Sequence, residues 1–462
     1  MAEIYDLVVI GAGPGGYIPA LKAAGWGKKI AVVERRELGG TCLNRGCIPT
    51  KTMLHTSELY RACQNAEVAG LTVHGASADA AALQARKEEV VKTLRDGIGQ
   101  QFKKNKIDTY QGTGTITAPG RVQVTAADGT VTELEAEHIL IATGSVPSIP
   151  PIEGADLPGV VDSDALISKA DGFFDRLLII GGGVIGMEFA TIYSDLGRQV
   201  TVIEAMERIL PTMDREFSQN LKMIMKKRGV DIHTGATVKR IEKTETGLSC
   251  IYKEKGAEHS AEADGILIAT GRRADTSGLF AGEGGVKPDM DRGRILVDEH
   301  YRTSIPGISA VGDVIGGIQL AHAATTEGCI AVAHMFGEKE TGDISTIPSC
   351  VYTDPEIASV GLTADEAKEK NIPIKTGKYI MSVNGKSVLS MQERGFIKLV
   401  ADPETNRILG GQLMCARATD MIGEIGLAIS KGLTAEDLAD VVMAHPTFSE
   451  GIGEAAIEVL KK

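Results

Sequence analysis

Two glycine-rich turns predict the fold class of this 462-residue chain. Gly11-Ala-Gly-Pro-Gly-Gly16 and Gly181-Gly-Gly-Val-Ile-Gly186 each follow a short apolar run, and each precedes a helical stretch and a second apolar run ending in glutamate. That pattern predicts an α/β protein with two Rossmann-like dinucleotide-binding domains. From about Ile347 the composition changes to a mixture of strands and helices, which predicts a C-terminal α+β domain. Charged residues make up 24% and hydrophobic ones 43%, the balance of an ordinary globular protein with several domains. A net charge of −12 argues against nucleic acid as a partner. No uncharged apolar run is long enough for a membrane span. Seven irregularly spaced cysteines do not form a secreted disulfide framework, and the N-terminus has no basic leader, so a cytoplasmic setting is expected.

In chain order, Tyr5–Ile10 reads as a buried parallel strand. The glycine turn opens a helix to about Ala24, which Pro19 is expected to kink. Ile30–Val33 is the next strand, and Glu34 stands 18 residues past Gly16. Glycines let the backbone approach a pyrophosphate, the helix N-terminus attracts its charge, and the carboxylate accepts from ribose hydroxyls. Val200–Ile203 repeats this with Glu204, 18 residues past Gly186. Both units share a return strand, Ile139-Leu-Ile-Ala-Thr-Gly144 and Ile266-Leu-Ile-Ala-Thr-Gly271. Glu204 favours the free 2′-hydroxyl of NAD over the phosphate of NADP, since Arg208 comes four residues later.

The segment Gly39–Lys51 reads Gly-Gly-Thr-Cys-Leu-Asn-Arg-Gly-Cys-Ile-Pro-Thr-Lys. In one regular helix Cys42 and Cys47 would lie about 7.5 Å apart along the axis, too far to bond. Gly46 loosens the backbone and Pro49 fits a first helical turn, so Cys47 is expected just ahead of a helix from about Ile48 to Gln64, with Cys42 in an irregular stretch. That arrangement permits a bridge and a helix-stabilised thiolate. Spacing alone is equally compatible with two ordinary half-buried cysteines. It is neither CxxC nor a zinc pattern, and no metal site is expected.

A charged helix (about Asp79–Asn105) and a β-meander (Thr109–Leu134) follow. Pro147, Pro150 and Pro151 then lead into the second module. Thr303–Asp313 forms a turn and a small strand ending in Gly312-Asp313, where Asp313 either binds sugar hydroxyls or caps a helix. Strands Ile397–Val400 and Ile408–Met414 and helices near Thr419–Ser430 and Ala435–Val442 precede Ala444-His-Pro-Thr-Phe-Ser-Glu450. Pro446 keeps His445 out of a helix, so His445 stands out as a positioned base, and Thr447–Glu450 fits a capping box. His322 is a second candidate, read as a structural contact near the nucleotide.

Taken together, Gly11–Gly16, Cys42–Lys51, Gly181–Glu188, Thr303–Asp313, Tyr352-Thr-Asp-Pro-Glu-Ile-Ala-Ser-Val-Gly361 and His445–Glu450 make the chain resemble, along essentially its whole length, the FAD-dependent pyridine nucleotide–disulfide oxidoreductases. The resemblance implies an FAD-binding domain from residues 1–146 and 275–345, an NAD-binding domain at 147–274, and a dimerisation domain at 346–462. It implies that Cys42 exchanges with substrate and Cys47 faces the flavin. Lys51 lies near the flavin and pairs with Glu188. His445, oriented by Glu450, serves the disulfide of the other subunit of a homodimer. Gly11, Gly13, Gly16, Glu34, Gly40, Thr41, Lys51, Gly114, Ala142, Gly144, Gly312, Asp313 and Ala321 are implied contacts of FAD. Gly181, Gly183, Gly186, Glu204, Val238 and Gly271 are implied contacts of NAD. Within the family, the motifs point to oxidation of a dihydrolipoyl group on a partner protein of a 2-oxo acid dehydrogenase or glycine cleavage complex. A glutathione- or mercuric-reductase-like enzyme, or a flavoprotein that mainly docks to such a complex, is the alternative. The chain departs from the family at Arg45, expected to favour thiolate, and at Ala274-Asp275, expected to alter only a loop.

Overall fold

The computed structural model describes residues 4–169, 172–282 and 286–461. Its first sheet sets strands Ile30–Glu34, Ile4–Ile10 and Val131–Ile141 side by side in parallel, with Val9 opposite both Val32 and Leu140. These central strands are continuously apolar because both faces are covered, and Leu7, Val8 and Val9 are wholly buried. Strand Val131–Ile141 joins the parallel and antiparallel parts of this one seven-stranded sheet. Its first half pairs antiparallel with Arg121–Thr125, and its second half pairs parallel with Ile4–Ile10. The expected meander is therefore shorter at its start, since Asp108–Gln111 lies parallel to Ile30–Glu34 at the sheet edge. Gly112 makes that change of direction possible, because a Cβ there would stand 2.6 Å from the Thr125 carbonyl oxygen.

The second module repeats the design in parallel strands ordered Asp231–Thr234, Gln199–Glu204, Arg176–Ile180, Gly265–Ile268 and Val160–Asp162. Ser145–Pro147 pairs with Arg272–Ala274 where the chain leaves and re-enters this module. Ile308–Ala310 then rejoins the first sheet, beside Ile139–Ile141. Helix Ala321–Met335 lies on helix Pro14–Gly25, and a Cβ at Gly328 would sit 2.8 Å from the Pro19 ring. Helix Pro14–Gly25 runs uninterrupted through Pro19, whose ring is used as a packing surface.

The C-terminal residues form an antiparallel sheet ordered Ser349–Val351, Glu356–Gly361, Ile408–Cys415, Phe396–Ala401 and Lys375–Ile380. Ile397, Leu399 and Leu413 pack with Ile425 of helix Ala418–Lys431 and with Ile452 of helix Glu450–Leu460. The helix expected at Ala435–Val442 stops at Ala439. Val441 and Val442 are exposed, so another turn would bury nothing.

Candidate active site

The two glycine turns use their glycines in the same way. A Cβ at Gly11 would stand 2.4 Å from the Ala142 carbonyl oxygen, and one at Gly16 would stand 1.9 Å from that of Gly11. Gly181 and Gly186 repeat this against Ala269 and Gly181, at 2.4 and 2.0 Å. The first and third glycines are therefore packing requirements, and Gly16 and Gly186 press helix to strand behind the loop. The middle glycines differ. A Cβ at Gly13 meets only the Cα of Gly40, at 3.8 Å, and one at Gly183 meets no described atom within 4 Å. Gly13 and Gly183 precede helices whose first backbone N–H groups receive no side-chain cap. Such ends are built for anions.

Both loops open into one cavity of about 1660 Å³. Gly11, Gly13, Glu34, Gly40 and Thr41 line its first arm, with Gly114, Ala142 and Gly144 beside them. Gly312, Asp313 and Ala321 border it from the returning segment, and Gly181, Gly183, Glu204, Val238 and Gly271 line the second arm. That volume exceeds the about 300–1,000 Å³ of a pocket for one drug-sized ligand, which leaves room for two dinucleotides.

Glu34 and Glu204 do more than the sequence reading assigned. Glu34 accepts the Ala12 and Arg36 N–H groups at 2.8 and 2.7 Å. Glu204 accepts those of Gly182 and Met206 at 2.6 and 2.7 Å. Each carboxylate thus fixes its own glycine loop and retains lone pairs for a ribose. Asp313 caps no long helix. It lies in the turn Gly312–Ile315 and accepts the Ser145 hydroxyl, which Arg272 in turn contacts through Nε at 2.7 Å. His322 lines the cavity, with Nε2 2.7 Å from the Pro348 carbonyl oxygen.

Cys42, Cys47 and Lys51 line the same cavity. Cys42 is not in an irregular stretch as expected. It sits in the short helix Gly40–Arg45, and Cys47 itself opens helix Cys47–Gln64. The break falls entirely at Gly46, whose φ of −128° and ψ of −108° turn the second helix back on the first. A Cβ there would lie 3.0 Å from the Thr41 carbonyl oxygen. Two helices with a one-residue hinge achieve what one helix could not. Both cysteines are free, and the Cys42 thiol hydrogen-bonds to the Cys47 sulfur. That bond pushes the Cys42 thiol up and draws Cys47 down to about 7, where the Lys51 ammonium assists against burial and Glu188. Of the two sulfurs, Cys47 is the one whose charged form the surroundings favour. Arg45, expected to supply positive charge here, is instead paired with Glu37. Lys51 takes that role.

Lys51 Nζ lies 2.8 and 2.7 Å from the two carboxylate oxygens of Glu188, which is buried on helix Val184–Asp195. The Tyr352 N–H also donates to Glu188, at 3.1 Å, and the Tyr352 ring stands 4.6 Å from Lys51 Nζ. Burial works against the Lys51 charge, but Glu188 outweighs it and the ammonium is held above its ordinary range.

His445 lies outside this cavity. Its Nδ1 is 2.8 Å from Glu450 Oε1, and the ring is 77% exposed. The other Glu450 oxygen accepts the Thr447 N–H at 2.7 Å, and these two bonds hold the carboxyl below its usual range. The expected capping box is only half formed. The Thr447 hydroxyl donates to the Ala444 carbonyl, and the helix starts at Glu450 itself. With Nδ1 on Glu450, Nε2 is the ring nitrogen left for another group. The protomer thus unites the cysteines, Lys51 and Glu188 and leaves His445–Glu450 apart.

Three contributors escaped the sequence reading. Tyr352 braces Lys51–Glu188. Buried Asn384 donates to the Thr447 carbonyl at 3.1 Å and so fixes the histidine loop. Asp275, expected to affect only a local loop, is buried and pairs with Arg35, while the Thr143 hydroxyl donates to its carbonyl at 2.7 Å. Each contact joins positions remote in sequence. Only the acid at 275, a departure from the family pattern, could have signalled one.

Residues 5–328 match the pyridine nucleotide-disulphide oxidoreductase family and residues 347–456 match its dimerisation domain. The chain belongs to this family, whose cofactors are FAD and NAD. Among its relatives, a dihydrolipoyl dehydrogenase of Bacillus subtilis is 40% identical, over 99% of this chain and 98% of its own length. A dihydrolipoamide dehydrogenase of Chaetomium thermophilum is 39% identical, over 99% and 91%. Among solved structures, LpdA from Mycobacterium tuberculosis superposes with a TM-score of 0.90 at 29% identity, over 98% of this chain and 99% of its own. The HOCl-induced flavoprotein disulfide reductase RclA from Escherichia coli gives 0.84 at 29% identity, over 99% of both.

Proposed function

We propose that this protein oxidises a dihydrolipoyl group carried by a partner protein and delivers the electrons to NAD. The observation that carries the reading is the cysteine pair in the cavity that both glycine loops line, with Lys51 and Glu188 beside it and surroundings that favour charge on Cys47 over Cys42. The full-length similarity to dihydrolipoyl dehydrogenases supports the choice of substrate. Residues 1–146 and 275–345 hold FAD, residues 147–274 hold NAD, and 346–462 form the dimer contact. Bound flavin supplies a two-electron acceptor between the dithiol pair and the nicotinamide.

In the oxidised enzyme Cys42 and Cys47 form a disulfide. One substrate thiolate attacks Cys42 Sγ and releases Cys47 as thiolate; the second substrate thiol then displaces Cys42 and leaves as the lipoyl disulfide. His445 of the partner subunit, basic at Nε2, takes the proton from the attacking thiol. Lys51 holds the Cys47 thiolate by charge, and Glu188 holds Lys51 in place. Glu204, with both oxygens on its own loop and lone pairs to spare, selects the unphosphorylated ribose of NAD. Among the described residues no helix is long and apolar enough to cross a membrane. We place the protein in the cytoplasm as a homodimer serving a lipoyl-bearing complex.

The test is NAD and NADP reduction with free dihydrolipoamide as donor, and with glutathione disulfide and mercuric ion in reverse. Dihydrolipoamide-dependent NAD reduction that disappears in Cys42→Ser is expected. Efficient turnover of glutathione disulfide or mercuric ion, or an active Cys42→Ser variant, refutes the reading.

A further inference from the structure

The chain that returns from the second module passes the cavity as a short strap, fastened at both ends. At its start the Asp275 N–H donates to the Gly144 carbonyl at 3.0 Å, and the Thr143 hydroxyl donates to the Asp275 carbonyl at 2.7 Å. Further on, the Thr115 hydroxyl donates to the Gly278 carbonyl at 2.7 Å and the Ile116 N–H to the Leu279 carbonyl at 2.8 Å. Residues 275–279 therefore run from the turn after strand Val131–Ile141 to strand Thr113–Ala118. Asp275, Ser277 and Leu279 line the cavity together with Glu34, Arg35, Thr113 and Gly114.

A third fastening is made by side chains. The Arg35 guanidinium pairs with one Asp275 oxygen through Nη2 and donates to the Ser277 hydroxyl through Nη1 at 3.3 Å. That hydroxyl donates to the other Asp275 oxygen at 2.5 Å. The Asp275 side chain is 4% exposed and that of Arg35 37%. Burial opposes the Asp275 charge, but Ser277 and Arg35 outweigh it and hold the carboxyl below its usual range. Hydrogen bonds between charged groups are roughly twice as strong as neutral ones. Arg35 also directly follows Glu34, the carboxylate left with lone pairs for a ribose, so this contact stands at the sugar end of the first module.

We propose that Arg35, Asp275 and Ser277 form a latch that closes residues 275–279 over the adenosine end of bound FAD, so that the cofactor leaves when the Arg35–Asp275 pair opens. The inference rests on the reading of residues 1–146 and 275–345 as the FAD-binding domain. The two backbone fastenings hold the strap to its own sheet whether or not a cofactor is present. The Arg35 contact differs, because it joins the strap to the end of strand Ile30–Glu34 through side chains that can part without breaking a backbone bond. The latch stands apart from the thiol chemistry. It governs how long the flavin stays, and the residues are positioning residues that act by holding the strap shut.

Release of FAD from the purified holoenzyme is the measurement, followed by flavin fluorescence after dilution into phosphodiesterase, which cleaves freed FAD and prevents its return. Asp275→Asn keeps the shape of the side chain and should release FAD about tenfold faster. Arg35→Gln should do the same, and the double variant should be no faster than either single one, since all three break one contact. Added salt should speed release from the parent and leave the variants unchanged. Release from Asp275→Asn at the parent's rate overturns the latch while leaving the cofactor reading intact. So does a double variant whose rate multiplies the two single effects, which would mean that Arg35 grips the dinucleotide by itself. A chain that takes up no FAD refutes the cofactor reading and the latch with it.

Discussion

Lys51 and Glu188 face each other across the boundary of the two dinucleotide modules, with the ammonium 2.7 and 2.8 Å from both carboxylate oxygens. Lys51 stands one turn along the helix that Cys47 opens, and Glu188 stands in the first turns of the helix opened by the second glycine loop. One ion pair therefore fixes the distance between the thiolate and the second cofactor arm. Glu188 is 3% exposed, so Lys51→Ala leaves a carboxylate buried without its countercharge. The loss should be about 3 kcal/mol, read as a lower denaturation midpoint of the purified dimer. Lys51→Met combined with Glu188→Leu should recover most of it. A single variant as stable as the parent would show that the pair carries no such strain.

The same lysine sets a pH dependence. Cys47 is drawn down to about 7, first by the Cys42 hydrogen bond and then, against burial, by Lys51. Both partners favour the charged sulfur, so removing either raises the midpoint. In dithiol-reduced protein, ultraviolet thiolate absorbance should rise through a step centred near pH 7. Cys47→Ser should abolish that step, while Cys42→Ser and Lys51→Ala should move it to higher pH. A step that persists in Cys47→Ser assigns the thiolate to the wrong residue.

The glycines separate packing from binding. Gly186→Ala drives a methyl into the Gly181 carbonyl at 2.0 Å, whereas Gly183→Ala meets no described atom within 4 Å. Gly186→Ala should therefore lower the thermal midpoint by several degrees. Gly183→Ala should fold normally and raise the KM for NAD about tenfold, because its methyl lies where the pyrophosphate approaches. Equal thermal losses in both variants would remove the distinction.

What could be read in advance follows from the range of the interactions. Tyr5–Ile10 and Arg176–Ile180 announce themselves because burial on both faces demands unbroken apolar runs, and the glycine turns because close backbone approach excludes a Cβ. Glu34 and Glu204 stand out by their spacing from the glycines, but their task of tying Ala12 and Gly182 depends on loop geometry that spacing does not encode. Helix Gly40–Arg45 is hidden because bonding between Cys42 and Cys47 rules out one regular helix through both; a hinge at Gly46 between two helices meets the requirement. Lys51 with Glu188 and Arg35 with Asp275 are meetings between distant segments. No local pattern reports them.

His445 and Glu450 allow a test across subunits. Glu450 Oε1 holds Nδ1 at 2.8 Å while Oε2 holds the Thr447 N–H, so the acid orients the ring and shapes its loop together. His445→Gln removes the base and should lower kcat for dihydrolipoamide oxidation by about 10²–10⁴-fold. Glu450→Gln keeps an acceptor for Nδ1–H and loses only the charge, so its defect should be smaller. Because the ring stands outside the cavity of its own protomer, mixed dimers supply the decisive measurement. A subunit carrying His445→Gln paired with one carrying Cys42→Ser retains one intact site if histidine and cysteines come from different chains. Activity near half that of the parent is expected in that heterodimer. If His445 serves its own chain, each site of that heterodimer carries one of the two lesions, and the heterodimer would be inactive.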